Sequence, residues 1–254
     1  MADDIREHGS LLAGPEKRLL IGIARRLPAW VTSDRLTILA LVSMCLAGAG
    51  FALARWDTRW LWMTVVALAA NWFGDSLDGT VARVRRTERP RYGFYVDHVV
   101  DILGITALFG GLASSPYMSP IVALSVLVAY LLVSGEVFLA TAVHHVFRMS
   151  FARIGPTELR ILLAAGALAL RGNPHVTLGS LGAYRLFDVG GVAAAAGLAA
   201  ALVVGIVRNV SGLSRLEPPR PIPGGCARPG ASSAGGSSFG QRLTVAVPKA
   251  SRTA

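Results

Sequence analysis

The chain has 254 residues, of which 53% are hydrophobic and only 16% are charged. This composition is too apolar for an ordinary soluble domain and indicates a membrane protein. The net charge of +10 does not indicate nucleic-acid binding, because the arginines lie beside hydrophobic segments instead of on a polar domain with interleaved aromatic residues. The only two cysteines, Cys45 and Cys226, exclude a disulfide framework and have no metal-ligand spacing.

The first predicted elements are a polar N-terminal segment, residues 1–14, and an amphipathic helix, residues 15–31. The N-terminal segment lacks the basic-then-apolar pattern of a secretory signal. In the second segment, leucine and isoleucine recur at helical spacing against lysine and arginine. This pattern predicts a helix that lies in the membrane interface, and Pro28 is expected to end it.

Six apolar runs follow within residues 32–208 and predict six membrane-spanning helices. The runs cover residues 36–54, 60–72, 102–113, 121–142, 161–170 and 192–207. Several are shorter than the about 20 residues that a span requires, so polar flanking segments are expected to lengthen them. The predicted fold class is an all-α membrane protein, a six-helix transmembrane bundle with an N-terminal interfacial helix. Polar residues at the ends of these runs indicate a bundle with a functional interior.

The charge pattern predicts which ends of the helices are cytoplasmic. Five arginines between residues 83 and 91, and the basic residues before the first run, lie on the cytoplasmic side by the positive-inside rule. An even number of spans returns the C-terminal tail to the same side. This tail, residues 209–254, is rich in Gly, Pro, Ser and Arg and is predicted to be basic and disordered. We expect an integral protein of a prokaryotic inner membrane with its active site on the cytoplasmic side.

Four aspartates lie where the second apolar run ends and the third begins: Asp75, Asp78, Asp97 and Asp101. Helical spacing places the first two on one face and the last two on another. A short arginine-rich connection is expected to fold the two helices antiparallel, so that the four carboxylates share a pocket. Because unpaired carboxylates would repel one another, we expect Mg²⁺ or Mn²⁺ between them. Such a cluster, with open metal positions, is typical of phosphoryl-transfer chemistry.

The two aspartate pairs lie in the sequence DSLDGTVAR, nine further residues, and GFYVDHVVD, spanning residues 75–101. This sequence resembles the CDP-alcohol phosphatidyltransferase family motif, DxxDGxxAR, eight or nine residues, GxxxDxxxD, and matches it at every fixed position. The six spans and the interfacial helix also resemble the family's architecture over roughly residues 16–208. The tail lies outside the resemblance.

The resemblance implies a role for each matched residue. Asp75, Asp78 and Asp97 would bind metal, and Asp101 would lie near a second metal ion and act as the general base. The residues that would border the CDP moiety are Asp78, Gly79, Ala82, Arg83, Gly93 and Thr37. The segment that ends at Thr37 departs from the family at its first two residues, because Ser33-Asp34-Arg35-Leu36-Thr37 replaces the more usual Pro-Asn-x-Leu-Thr.

A second polar cluster opens the fifth run and contains Arg153, Glu158 and Arg160. It is either an acceptor or phosphate pocket that faces the aspartates, or an Arg–Glu pair at a helix N-terminus. Glu136, in the fourth run, is expected to face the bundle interior, and no role follows from its position. His98 is expected to pack between helices instead of binding metal.

The leading hypothesis for function is an enzyme of phospholipid biosynthesis. A hydroxyl would attack the β-phosphorus of a CDP-activated alcohol and release CMP. CDP-diacylglycerol is favoured as donor, with glycerol 3-phosphate, inositol phosphate or serine as acceptor, because basic residues suit an anionic acceptor. A soluble CDP-headgroup donor with a lipid alcohol acceptor is the alternative. The family resemblance is compatible with a homodimer, and the sequence leaves the oligomeric state open.

Two other classes of protein compete with the enzyme hypothesis. A transporter or channel with an acidic metal site would place carboxylates at midspan and show inverted repeats. Here the acids lie near one membrane edge, and no internal repeat is evident. A structural membrane protein with this fold would be expected to have lost at least one of the four aspartates.

Overall fold

The structure, a computed structural model, describes residues 13–144, 156–177 and 182–217. Within these ranges the chain forms seven helices and one short β-hairpin. The helices are α1 Ala13–Arg26, α2 Ser33–Leu53, α3 Trp60–Val84, α4 Pro90–Ala113, α5 Pro120–His144, α6 Pro156–Ala169 and α7 Leu186–Leu216, and the strands are β1 His175–Thr177 and β2 Ala183–Arg185. The prediction of a mostly helical protein is confirmed.

Four of these helices, α2, α4, α5 and α7, are long and apolar enough to cross a membrane. Each of the six predicted apolar runs overlaps one helix between α2 and α7. The runs at 60–72 and 102–113 are halves of longer helices, since α3 continues to Val84 and α4 begins at Pro90. Helix α6 has 14 residues, which at about 1.5 Å per residue is shorter than a bilayer core.

The packing of α2 positions the two helices that carry the aspartates. Helix α2 packs against both α3 and α4, whereas α3 and α4 make few direct contacts in the described part of the chain. Fully buried apolar side chains such as Phe51, Leu68 and Leu108 fill the centre of this packing. The expected face-to-face meeting of α3 and α4 therefore takes a different form: α2 lies against both, and the gap between them forms a cavity.

Small residues allow α2 and α4 to approach closely. The backbone of Gly111 lies against the backbone of Gly48, and Gly48 in turn lies against Ala107 and Leu108. A side chain at either glycine would meet backbone atoms of the opposite helix. This is the packing by which small residues join membrane helices.

The connection between α3 and α4 begins with a Schellman turn. The amide of Thr87 donates to the carbonyl of Ala82 at 2.9 Å, and the amide of Arg86 donates to the carbonyl of Arg83 at 3.2 Å. Arg86 holds the left-handed position of this turn with φ of 54°, where glycine is usual. Helix α4 then begins at Pro90 in its first turn, where the missing proline amide costs no helical hydrogen bond.

Helix α1 packs along the end of α3 that carries the motif. Leu20 and Ala24 are buried against Leu77 and Val81 of α3. The guanidinium of Arg85 donates to the carbonyls of the α1–α2 linker, those of Leu27, Pro28, Ala29 and Val31, at 2.6–3.4 Å. Helix α1 ends at Arg26, five residues before the predicted end, because Pro28 cannot continue it and Arg85 binds the carbonyls beyond.

The C-terminal part of the chain differs from its prediction in two places. Helix α7 continues to Leu216, so residues 209–216 of the predicted disordered tail are helical. Pro218 and Pro219 follow directly, and residues 218–254 lie outside the described part. The β-hairpin, in which His175 pairs with Arg185, joins α6 to α7 and was not predicted, because strands of three residues carry little periodic signal.

Candidate active site

All four motif aspartates line one cavity between α2, α3, α4 and α6. The cavity has a volume of ≈ 30 Å³, which is room for about two water-sized groups. Its lining residues are Thr37, Ala40, Met44, Asn71, Asp75, Asp78, Asp97, Val100, Asp101, Gly104 and Arg160. The structure therefore brings together side chains that are up to 123 residues apart, from Thr37 to Arg160.

Both carboxylate oxygens of Asp78 accept hydrogen bonds from fixed donors. The hydroxyl of Thr37 donates to Oδ2 at 2.8 Å, and the amide of Gly79 donates to Oδ1 at 2.5 Å. Thr37 is buried in the first turns of α2, and its hydroxyl also lies 3.1 Å from the carbonyl of Ser33. The contact to Asp78 therefore orients this carboxylate and ties α2 to α3.

Asp75 is paired with the guanidinium of Arg160 from α6. Arg160 Nη2 donates to Asp75 Oδ2 at 2.7 Å, and Arg160 Nε donates to Asn71 Oδ1 at 2.7 Å. The side chains of Arg160 and Asp75 are 16% and 25% exposed. Asn71 is buried and donates through Nδ2 to the carbonyl of Ala40 at 2.9 Å. The asparagine thus has both ends of its amide engaged and fixes the guanidinium.

The other two aspartates, Asp97 and Asp101, lie one helical turn apart on α4 and face the same cavity. Tyr130 of α5 lies near Asp101. Asn71 and Tyr130 were missed by the sequence analysis. Asn71 could have been found, because it is a polar residue in an apolar run one helical turn before Asp75. Tyr130 offers no such signal, since an aromatic residue in an apolar helix is ordinary.

The remaining residues predicted to border CDP do not line the cavity. Gly79, Ala82 and Arg83 follow Asp78 along α3, and Arg83 is exposed with Nη2 donating to Thr80 Oγ1 at 3.2 Å. Gly93 is exposed in the first turns of α4, and a side chain there would meet nothing within 4 Å. These residues lie where the motif-bearing ends of α3 and α4 reach the solvent-accessible surface.

Of the three residues predicted to bind the acceptor, only Arg160 has a described side chain. Arg153 lies outside the described residues, and Glu158 lies in α6 with a side chain that is not described. Arg160 faces the aspartates across the cavity, and its described ion pair is with Asp75. Arg160 therefore pairs with an aspartate of the cavity, which the interpretation as an Arg–Glu pair at a helix N-terminus did not include.

Two further polar residues named in the sequence analysis lie outside the cavity. His98 is stacked with Phe94 and Phe138, at ring-centroid distances of 4.2 and 5.0 Å, and its Nδ1 lies 2.6 Å from the carbonyl of Phe94. This arrangement agrees with a packing role. Glu136 accepts a hydrogen bond from Asn209 Nδ2 and lies against the backbone of Gly205, between α5 and α7.

The donor set of the cavity fits a hard divalent cation. The side chains that line the cavity include four carboxylates and one hydroxyl, and oxygen is the ligand that Mg²⁺ and Mn²⁺ prefer. As arranged, no group of three or more His, Cys, Asp or Glu side chains in the described ranges forms a ready coordination shell. Asp75 and Asp78 already accept hydrogen bonds from Arg160 and Thr37, so coordination requires these side chains to readjust.

Comparison with known proteins agrees with this geometry. The sequence matches the family model of the CDP-alcohol phosphatidyltransferases over residues 25–207, a range that contains every residue of the cavity. No curated protein matches the chain significantly. The family is generally metal-dependent.

One similar solved structure is the crystal structure of Mycobacterium tuberculosis phosphatidylinositol phosphate synthase (PgsA1) with CDP-DAG bound. The TM-score is 0.56 at 22% sequence identity, and the match covers 78% of this chain and 94% of the mycobacterial one. At this identity the likeness is one of fold. The family match over most of the chain identifies the activity class: this protein belongs to the CDP-alcohol phosphatidyltransferase family of phospholipid-synthesising membrane enzymes.

Proposed function

We propose that this enzyme transfers the phosphatidyl group of CDP-diacylglycerol to the hydroxyl of a polar alcohol and releases CMP. The observation that carries the proposal is that all four motif aspartates line one cavity. The family match supports the reaction class, and the CDP-DAG bound in the mycobacterial structure supports the donor. The basic residues around the site favour an anionic acceptor such as an alcohol phosphate over a lipid alcohol.

The bundle is proposed to cross the membrane six times, with α2 to α7 as the spans and α1 in the cytoplasmic interface. Helix α3 has 25 residues and exceeds the required length, although its last turns are polar. The short α6 would cross the membrane where the bilayer is locally thinned. The arginines between residues 83 and 91 support a cytoplasmic site, and so does the basic end of α1. A homodimer is compatible with the family resemblance.

Asp75, Asp78, Asp97 and Asp101 are proposed to hold Mg²⁺ or Mn²⁺, with two ions. When bound, the metal neutralises the diphosphate and stabilises the leaving phosphate. The chain's own contribution is orientation. Thr37 and the amide of Gly79 both bind the Asp78 carboxylate, so that its range of orientations is limited before metal and substrate bind.

Asp101 is proposed as the general base. It would take the proton of the acceptor hydroxyl as the oxygen forms its bond to the β-phosphorus, while the bond from that phosphorus to the CMP oxygen breaks. Asp101 suits this task by its place in the cavity among the other aspartates and Arg160. A general base within reach of its proton contributes about 10²- to 10⁴-fold to the rate.

The nucleotide is proposed to bind at the exposed ends of α3 and α4. Asp78, Gly79, Ala82, Arg83, Gly93 and Thr37 would border the CDP moiety. Gly93 leaves open space beside the backbone, and Arg83 is exposed with one guanidinium nitrogen bonded to Thr80. A guanidinium carries five N–H donors, so the others can bind the diphosphate. On the opposite side, Arg160 would contact the acceptor together with Arg153 and Glu158.

The test is an assay of the purified protein in lipid nanodiscs. CDP-diacylglycerol, Mg²⁺ or Mn²⁺ and a panel of alcohols are supplied, CMP release is measured, and the lipid product is identified by mass spectrometry. Asp101→Asn is expected to reduce turnover by about 10²- to 10⁴-fold with donor binding retained.

Asp57→Asn is the matched control, because Asp57 is an exposed aspartate outside the cavity. Its turnover should equal that of the unaltered protein. CMP release that needs no acceptor, or metal flux across the membrane without CMP release, would contradict the proposal. Product formation only from a CDP-headgroup and a lipid alcohol would keep the reaction class and reverse the two substrates.

A further inference from the structure

The guanidinium of Arg160 lies against a carboxylate oxygen that would also be a ligand of the proposed metal ion. Its Nη2 lies 2.7 Å from Oδ2 of Asp75, one of the four proposed metal-binding aspartates. Both side chains are largely buried, at 16% and 25% exposed. A charge-assisted contact of this length, shielded from water, is among the stronger polar contacts in a protein.

A second contact holds the guanidinium in this place. Arg160 Nε donates to Asn71 Oδ1 at 2.7 Å, and Asn71 is itself anchored to the carbonyl of Ala40 on α2. The fork of the arginine therefore bridges two residues one helical turn apart on α3. The rigid, planar guanidinium suits two neighbouring acceptors better than the single ammonium of a lysine does.

A guanidinium and a divalent cation cannot both lie against Asp75 Oδ2 at low cost. The two positive charges would be within a few ångströms of each other between largely buried side chains, where their repulsion is larger than in water. Binding of metal through Oδ2 of Asp75 therefore requires the side chain of Arg160 to leave this oxygen.

We propose that Arg160 is a built-in competitor for metal at Asp75, so that metal binding releases its guanidinium toward the acceptor. This inference rests on the proposed function, in which Asp75 binds metal. It adds an order to the reaction: the arginine becomes available to an acceptor anion only after the metal has taken its place. The same side chain thus couples the metal site on α3 to the acceptor side on α6.

The packing of α6 permits this exchange. In the described part of the chain α6 packs mainly against α3, and Arg160 donates to both Asn71 and Asp75 of that helix. Movement of one side chain near the start of α6 therefore requires no rearrangement of the tightly packed α2–α3 pair.

The test measures Mn²⁺ affinity of the substrate-free protein in nanodiscs by electron paramagnetic resonance and calorimetry. Removal of the competitor in Arg160→Gln is expected to tighten Mn²⁺ binding about tenfold, the equivalent of one charge-assisted hydrogen bond. Arg83→Gln is the matched control in this substrate-free measurement, since it also removes one arginine, but one that lies outside the cavity and is hydrogen-bonded to Thr80. It should change Mn²⁺ affinity by less than about twofold, as expected of an exposed charge.

A second measurement uses the unaltered protein and so does not depend on the folding of a variant. Hydrogen exchange of the α6 amides is compared in EDTA and in saturating Mn²⁺. We expect faster exchange in Mn²⁺, because α6 loses its contacts to Asp75 and Asn71, and no such difference in Arg160→Gln.

The outcomes separate the two proposals. Equal or weaker Mn²⁺ binding by Arg160→Gln, an equal gain in Arg83→Gln, or unchanged α6 exchange in the unaltered protein would overturn the competition while leaving the metal site intact. Failure of the unaltered protein to bind Mn²⁺ at all would overturn the metal site and the competition with it.

Discussion

Two adjacent glycines on α4, Gly110 and Gly111, provide a test of how the helix packing supports the active site. A Cβ atom placed on Gly111 would lie 2.6 Å from the Cα of Gly48 on α2 and even closer to its carbonyl group. These are backbone atoms, so no rotamer change can relieve the clash. A Cβ atom on Gly110 would meet nothing within 4 Å.

The magnitude follows from these distances. Carbon atoms pack at about 3.5–4.0 Å, so Gly111→Ala must separate α2 and α4 by about 1 Å. Overpacking of this kind costs about 1–3 kcal/mol of stability. The separated helices carry Thr37 on one side and Asp97 and Asp101 on the other. A displacement of about 1 Å at a catalytic group can reduce the rate about 10²-fold.

The assay compares CMP release and the thermal unfolding midpoint of the two variants in the same detergent. Gly111→Ala should lower both the rate and the midpoint. Gly110→Ala should leave the rate unchanged and raise stability by up to about 1 kcal/mol, because alanine is the better helix former. Equal behaviour of the two variants would refute the argument that the α2–α4 approach sets the geometry of the site.

Two further predictions concern stability away from the cavity. Arg86→Gly should stabilise the turn after α3 by about 1 kcal/mol, because Arg86 has a φ of 54°, at which glycine carries no steric penalty. Arg86→Ala is the control and should not raise the unfolding midpoint. An equal rise in midpoint for both variants would contradict this explanation. Asn209→Leu should lower the unfolding midpoint by the equivalent of about 1–3 kcal/mol, because it leaves Glu136 without its donor. The double variant Glu136→Leu with Asn209→Leu should recover most of this loss, and a double variant less stable than the single one would argue against the pair.

The sequence predicts the motif half of the site well. Asp75, Asp78, Asp97 and Asp101 reach one cavity because helical periodicity fixes which residues share a face, and the short connection keeps α3 and α4 near each other. Periodicity does not predict which helix packs against each of these faces. The aspartate faces were expected to meet directly, whereas α2 packs against both helices, because Gly48, Gly74 and Gly111 remove the side chains that would hold it away.

Contacts between distant helices account for most of what the sequence did not predict. Arg160 could be recognised as a polar residue near a helix start, but its pairing with Asp75 depends on where α6 packs. Tyr130 became a candidate only through its position beside Asp101. The helical continuation to Leu216 was missed because Asn209, Ser211 and Gly212 were weighed as tail composition, whereas Val210 and Leu213 keep the helical pattern until Pro218.

The contacts of α3 explain why the motif specifies the reaction but not the acceptor. Asn71, Asp75 and Asp78 follow one another at helical spacing on α3. Residues of α2 bind two of them, since Asn71 donates to Ala40 and Asp78 accepts from Thr37. Asp75 is bound by Arg160 of α6. The α2 contacts lie between two closely packed helices and hold Asp78 and Asn71 in place. Helix α6 is the less constrained partner, and the acceptor candidates Arg153, Glu158 and Arg160 lie in it or just before it. We therefore expect substitutions there to alter which alcohol is bound while the contacts between Asp78 and α2 are preserved, because Arg160, and not Asp78, is the residue of this site that α6 contributes.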